Sequence, residues 1–171
     1  MDHLKTKIRH VPDFPKAGIL FYDITTLLND REGFRDMIGA LAAPYADKGI
    51  EQVVGIESRG FILGAALADR IDAGFVPVRK LGKLPAETVK ATYALEYGTD
   101  CLEMHRDAVE PGQQVLIVDD LLATGGTASA AVSLVESLGG SIRGVAFLIE
   151  LIALNGRQKL QGQQIHSVLK Y

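Results

Sequence analysis

The stretch Asp119-Asp120-Leu121-Leu122-Ala123-Thr124-Gly125-Gly126-Thr127 sets an acidic pair ahead of a loop of small residues. Carboxylates accept hydrogen bonds from sugar hydroxyls or hold a cation. The two glycines let backbone N–H groups curl around an anion without Cβ clashes, and Thr124 and Thr127 add hydroxyl donors. Two carboxylates repel a phosphate unless they have another target. A phosphorylated sugar supplies both targets: hydroxyls for Asp119 and Asp120, and a terminal phosphate for the loop. No Lys follows the glycines, so this is not a Walker A loop. A Gly-Gly-Thr turn also serves simply to join a strand to a helix. It is the acidic pair, strand and helix start together that favour an anion site.

The elements that position this loop are legible around it. Val115-Leu116-Ile117-Val118 reads as a short strand buried on both faces and ending at the carboxylates. Ala128, Ala131, Val132, Val135 and Leu138 recur at helical spacing. The loop therefore lies between a strand's carboxyl end and a helix's amino end, where unpaired N–H groups and the helix dipole favour an anion. Glu57-Ser58-Arg59-Gly60 occupies the same kind of junction, between a strand at 51–56 and a helix at 60–71, and Arg59 offers a planar fork for phosphate oxygens. Two strand ends facing one crevice are the usual ligand location in an open α/β sheet.

Elsewhere, Asn29 and Asp30 cap a helix over 31–48 whose buried stripe is Phe34, Met37, Ile38, Leu41 and Ala42, with Gly49 ending it. Strands are expected at 75–79 and 141–149. Arg79, Lys80 and Lys83 form a basic cluster before a polar segment, 83–106, that breaks the rhythm and reads as an excursion or flap with a hairpin. The alternation predicts an α/β fold: a mostly parallel twisted sheet flanked by helices, in a single domain over 1–171.

Composition narrows the classes. The chain has 171 residues, 47% hydrophobic and 23% charged, ordinary globular values. A net charge of −3 gives no general reason to bind nucleic acid. Cys101 is the only cysteine, so no intrachain disulfide forms, and a cytoplasmic location is expected. The amino terminus lacks a signal-peptide core, and no apolar run approaches the roughly 18 residues of a membrane span. His3, His10, His105 and His166 show no metal-ligand spacing, and Cys101 has no evident supporting base for nucleophilic work.

Residues 115–127 resemble the phosphoribosyl-pyrophosphate (PRPP) signature of the type I phosphoribosyltransferases, in the version found in the adenine phosphoribosyltransferases. The resemblance extends in order through Asp13-Phe14-Pro15 with residues 18–23, Glu57-Ser58-Arg59-Gly60-Phe61, Arg79-Lys80 with Gly82-Lys83-Leu84-Pro85, and Leu95-Glu96-Tyr97-Gly98, weakening after Leu160. It implies the family fold, with a flexible flap and a small N-terminal base-binding hood. The implied reaction is transfer of phosphoribosyl from PRPP to adenine, giving AMP and pyrophosphate in purine salvage.

The resemblance also distributes the roles. Asp119, Asp120, Ala123, Thr124, Gly125, Gly126 and Thr127 would bind the ribose and 5′-phosphate. Ser58, Arg59, Arg79 and Lys83 would bind pyrophosphate, some of them across a homodimer interface, and a non-proline cis peptide is implied at Ser58–Arg59. Leu20, Phe21 and Tyr22 would bind adenine, although many members carry Arg where this chain has Tyr22. Phe21 can stack on a purine, or Ile19, Leu20 and Phe21 can simply pack against the sheet. Glu96 would act at purine N7, by proton transfer or by positioning, and Tyr97 would lie near the reacting ribose, making Glu96, Arg59 and Tyr97 the catalytic set. Mg²⁺ would be held mainly through PRPP and pyrophosphate, with no protein metal ligands. Transfer to a 6-oxopurine is the nearest alternative. A PRPP-responsive regulator of nucleic acid is the alternative from another class, and would need a nucleic-acid surface.

Overall fold

The structure, a computed structural model, describes residues 1–95 and 98–171. The chain opens with a short helix, α1 (Asp2–Lys5), and an antiparallel hairpin of β1 (Arg9–Pro12) and β2 (Leu20–Asp23), in which His10 faces Tyr22 and Val11 faces Phe21. The turn joining them is tied at 2.7 Å, where the Asp13 carboxylate accepts from Gly18 N. This hairpin forms the small hood. After α2 (Thr25–Leu28) comes α3 (Arg31–Ala42), capped by Asp30, whose carboxylate accepts from Gly33 N at 2.6 Å. Helix α3 stops at Ala42 instead of running to 48, because Pro44 has no N–H to give the Ala40 carbonyl and its ring crowds that turn.

Strand–helix alternation then gives β3 (Gln52–Ile56), α4 (Arg59–Arg70), β4 (Gly74–Lys80), β5 (Thr88–Leu95), β6 (Gly98–His105), β7 (Gln114–Leu122), α5 (Gly126–Ser137), β8 (Ser141–Glu150) and β9 (Ile165–Lys170). The seven strands β3 to β9 form one sheet in the order β5-β6-β4-β3-β7-β8-β9. Strands β4, β3, β7, β8 and β9 are mutually parallel, as crossover helices require, whereas β5 and β6 form an antiparallel hairpin attached to β4. The irregular segment at 83–106 is thus a hairpin that extends the sheet.

Both faces of the sheet are covered. Met37 and Leu41 of α3 and Leu63 and Leu67 of α4 pack with Leu116 and Val118 on one face. Ala131, Leu134 and Val135 of α5 pack with Val115, Ile117 and Phe147 on the other. Burying β7 on both sides is why its apolar run is continuous rather than alternating. Among the described residues, no helix is long and apolar enough to cross a membrane.

Strand β7 does not end at the carboxylates. It runs through Asp119 and Asp120 to Leu122, because Asp119, Leu121 and Leu122 remain paired with Phe147, Ile149 and Glu150 of β8. Its side-chain alternation, however, breaks at the acidic pair. Leu116 and Val118 face the α3–α4 side and Val115 and Ile117 the α5 side, yet Leu121 joins the first and Leu122 the second. That break, not the end of the strand, frees both carboxylates from strict opposition.

Candidate active site

The chain passes from β3 to β4 on one side and returns to β3 as β7 on the other, so the gap between the β3 and β7 carboxyl ends is a topological switch point. It brings residues 57–60 beside residues 119–127. The contact is close: a Cβ on Gly60 would lie 2.8 Å from Asp119 Oδ1 and 3.1 Å from the Val118 carbonyl oxygen. Of the three longer helices, α3 is capped by its own Asp30. Helices α4 and α5 start at the crevice from Ser58 and Gly125 with no side-chain cap, which leaves their first N–H groups for a ligand. Ser58 and Thr124 are exposed, Ala123 and Thr127 half-buried, and Gly125 and Gly126 buried.

Arg59 stands at the centre. Its Nη2 is 2.7 Å from Asp120 Oδ2, its Nη1 makes a long 3.5 Å contact with the Tyr22 carbonyl, and its guanidinium carbon lies 5.1 Å from the Phe21 ring centre. In this arrangement Arg59 links the acidic pair to the hood. The Asp120 contact is a charge pair bent away from hydrogen-bond geometry, and the buried Oδ2 has no hydrogen-bond partner among the described residues. Asp119 Oδ1 accepts from Asp120 N at 2.9 Å. Burial and the neighbouring Asp120 carboxylate push Asp119 well above the usual carboxylate range. Burial also raises Asp120, with the Arg59 guanidinium opposing it.

A raised carboxylate favours the folded state below its unfolded pKa, and that advantage is lost as pH rises. Asp119→Asn keeps the acceptor oxygen and removes the charge. It should raise the thermal midpoint of the ligand-free protein at neutral pH by about 2–4 °C. The gain should shrink towards pH 4, near the ordinary carboxylate value of about 3.9. A thermal melt series across pH checks this, and a lower midpoint for the variant at neutral pH refutes the strain assigned to the pair.

The basic cluster is more committed than its sequence suggests. Glu57 accepts from Arg79 Nε at 3.1 Å and from Lys80 N at 3.0 Å, while Arg79 Nη1 donates to the Lys83 carbonyl at 3.3 Å. Lys80 pairs with Asp100 at 2.7 Å. Lys83 is exposed and its ammonium forms no ion pair among the described residues. Buried Glu103 holds that turn, its Oε1 accepting from Lys83 N and Leu84 N, each at 3.0 Å. Burial raises the Glu103 carboxyl, but these amides outweigh it and leave the group below its ordinary value. Nothing in the local sequence around Glu57 or Glu103 signals these roles, because the first depends on β4 pairing with β3 and the second on β6 pairing with β4. The implied cis peptide lies at Glu57–Ser58, one bond before Ser58–Arg59. Ser58 is already the cap of α4, so the bond after it belongs to the helix, which requires trans geometry.

In the hood, Ile19 and Leu20 are 45% and 43% exposed, so they do not pack the segment against the sheet. Phe21 meets Phe14 edge-on at 5.2 Å. The Tyr22 ring turns away, against Tyr171 at 4.3 Å and His10 at 5.1 Å. Position 22 therefore faces the crevice through its carbonyl, which accommodates Tyr where Arg is common. Glu96 and Tyr97 lie outside the described residues.

Residues 24–163 match the family model described as phosphoribosyl transferase domain. The adenine phosphoribosyltransferase of Acidobacterium capsulatum is 61% identical over 168 residues, covering 98% of this chain and 93% of that protein. The crystal structure of the adenine phosphoribosyltransferase from Thermoanaerobacter pseudethanolicus superimposes with a TM-score of 0.97 at 54% identity, covering 99% of each chain. That of Saccharomyces cerevisiae, complexed with D-2,5-dideoxy-2,5-imino-altritol 1,6-bisphosphate and adenine, gives 0.93 at 42% identity, covering 98% of this chain and 97% of that one. With two helix N-termini, an acidic pair and an apolar hood converging on one switch point, and with likeness of this extent, the chain belongs to the adenine phosphoribosyltransferase family of type I phosphoribosyltransferases.

Proposed function

We propose that this crevice transfers phosphoribosyl from PRPP to N9 of adenine, giving AMP and pyrophosphate. The observation that carries the reading is Asp120, a buried carboxylate paired with Arg59 at 2.7 Å and set between two uncapped helix N-termini. An acceptor of that kind suits a ribose hydroxyl, and the flanking amides suit the phosphates at either end of the sugar. The yeast relative holds adenine together with an imino-altritol bisphosphate, a sugar-like molecule carrying two phosphates.

Residues 123–127 and the start of α5 take the 5′-phosphate, and Asp119 and Asp120 accept from the ribose hydroxyls. Ser58, the start of α4 and Lys83 take pyrophosphate. Arg79 shapes the 79–83 turn that presents Lys83. Arg59 supplies positive charge between pyrophosphate and ribose as the C1′–oxygen bond lengthens, where charge develops in the transition state. Leu20 and Phe21 hold the purine, with the Tyr22 backbone at its edge. Glu96 receives or positions the proton at N7, and Tyr97 borders the reacting ribose. The donor set fits a divalent cation arriving on the substrate, since PRPP and pyrophosphate carry the hard oxygens it prefers while the acidic pair suits the ribose hydroxyls. Mg²⁺ bound through PRPP oxygens would neutralise pyrophosphate as it departs. Exposed Leu81 and Ile62 offer apolar surface for a homodimer, and the free Cys101 suits a cytoplasmic setting.

AMP formation from PRPP and adenine, with hypoxanthine and guanine as competitors, tests this. Adenine should be strongly preferred, since an oxo group in place of the amino group leaves polar partners unmatched at about 1–3 kcal/mol each. Comparable kcat/KM for a 6-oxopurine assigns the site to the other purines, and no turnover of any purine removes the reading.

A further inference from the structure

The segment after β8 contributes to the phosphate cradle, although it lies outside the 115–127 motif. The chain turns at Asn155, with φ 51°, into a 3-10 turn over Gly156–Leu160. Gly156 is buried against the loop, where a Cβ would run into the Ala123 carbonyl. Arg157 forks onto Glu150 through two bonds of 2.6 and 2.7 Å, and Leu160 is buried with the α5 core. These three anchors fix the backbone around Lys159. Its Nζ lies 3.8 Å from the place a Cβ would take on Gly126, the first residue of α5. Tyr93 Cδ2 and the Ala94 carbonyl oxygen of β5 lie 3.4 Å from that same point, so the hairpin and Lys159 both close on one spot.

Lys159 is exposed at the amino end of α5, a poor location for a cation unless an anion lies between the two. The amino end of a helix carries partial positive charge and repels an ammonium. The ammonium makes no hydrogen bond or ion pair with any described residue. A doubly charged phosphate monoester seated in residues 123–127 would satisfy both the amides and the ammonium.

We propose that Lys159 is a further phosphate-binding residue, which holds the 5′-phosphate of substrate and product from outside the signature loop. The proposal rests on the reading of 123–127 as the phosphate site. It makes the cradle two-part, with amides and hydroxyls from the motif and a charged side chain from the C-terminal segment.

Calorimetric titration of AMP, ribose 5-phosphate and pyrophosphate into wild type, Lys159→Met and Lys159→Arg tests it, alongside thermal melts without ligand. Lys159→Met should raise Kd for AMP and ribose 5-phosphate roughly tenfold or more, the scale of one charge-assisted contact. Its pyrophosphate affinity should stay within about twofold and its ligand-free midpoint should be unchanged or higher, because a repelled cation has been removed. Lys159→Arg should recover most of the affinity. AMP affinity in Lys159→Met within about twofold of wild type overturns the proposal, as does a lowered ligand-free midpoint with equal losses for all three ligands, which marks a structural role. Wild type that binds neither AMP nor ribose 5-phosphate overturns the phosphate site itself, and the proposal with it.

Discussion

Gly125→Ala should lower kcat/KM with PRPP and adenine by at least about a hundredfold, the scale of a misplacement near 1 Å in a catalytic cradle. Gly125 has φ 79°, a left-handed conformation that costs a residue with a Cβ about 1–2 kcal/mol. The larger effect is steric. A Cβ there would run into the Gly156 carbonyl, and one on Gly156 would run into the Ala123 carbonyl. The two loops meet backbone to backbone, so no side chain can swing aside, and overpacking of that kind costs a further 1–3 kcal/mol or so. The chain must relieve it by moving 123–127, the amides that hold the phosphate. Gly112→Ala is the control: its φ is 84°, but a Cβ there meets nothing within 4 Å. It should lose similar backbone stability and keep its kinetics. If Gly125→Ala retains kcat/KM within about fivefold while Gly112→Ala melts at the same temperature, the contact with Gly156 does not shape the site.

Glu96→Gln and Glu96→Ala should both slow single-turnover AMP formation by about 10²–10⁴, the usual yield of a positioned acid or base. The residue falls in the polar segment 83–106 of the sequence, so neither substitution should disturb the fold. Gln keeps the shape and a hydrogen bond but cannot exchange a proton, whereas Ala loses both. If Glu96 only positions the base, Gln stays near wild type and Ala alone fails. Steady-state turnover can be limited by product release, which hides the chemical step, so rapid-quench measurement with enzyme in excess is required. Near-normal single-turnover chemistry in Glu96→Gln would remove the proton-transfer role.

Much of the frame is written locally. The apolar run 115–118, the Asp30 cap and the helical spacing of Ala128, Ala131, Val132 and Val135 each depend on neighbours within a few residues, and all appear in the structure where the sequence places them. The two loops at strand–helix junctions follow from the same local signals. Their meeting in one crevice follows from parallel alternation, since crossover connections put every β–α junction at the same edge of the sheet. The end of α3 was also legible, in Pro44, a stronger breaker than Gly49.

What the sequence left undecided depends on segments distant in the chain. Ladder pairing with β8 carries β7 through Asp119 and Asp120, and no residue in β7 announces that. Whether Arg59 points to a phosphate or to Asp120 and Phe21 depends on the hood docking beside α4. Arg79 looks like a free cation until β4 lies against Glu57. Gly156, Arg157 and Lys159 read as an ordinary surface turn until the C-terminal segment folds back onto the loop. The sequence by itself determined which residue types stand at the ends of strands and the starts of helices, because backbone preference and burial period are set by near neighbours. The partner of each charged group was decided only by the tertiary structure, because charges and close glycine contacts act across whatever distances strand order and loop docking leave.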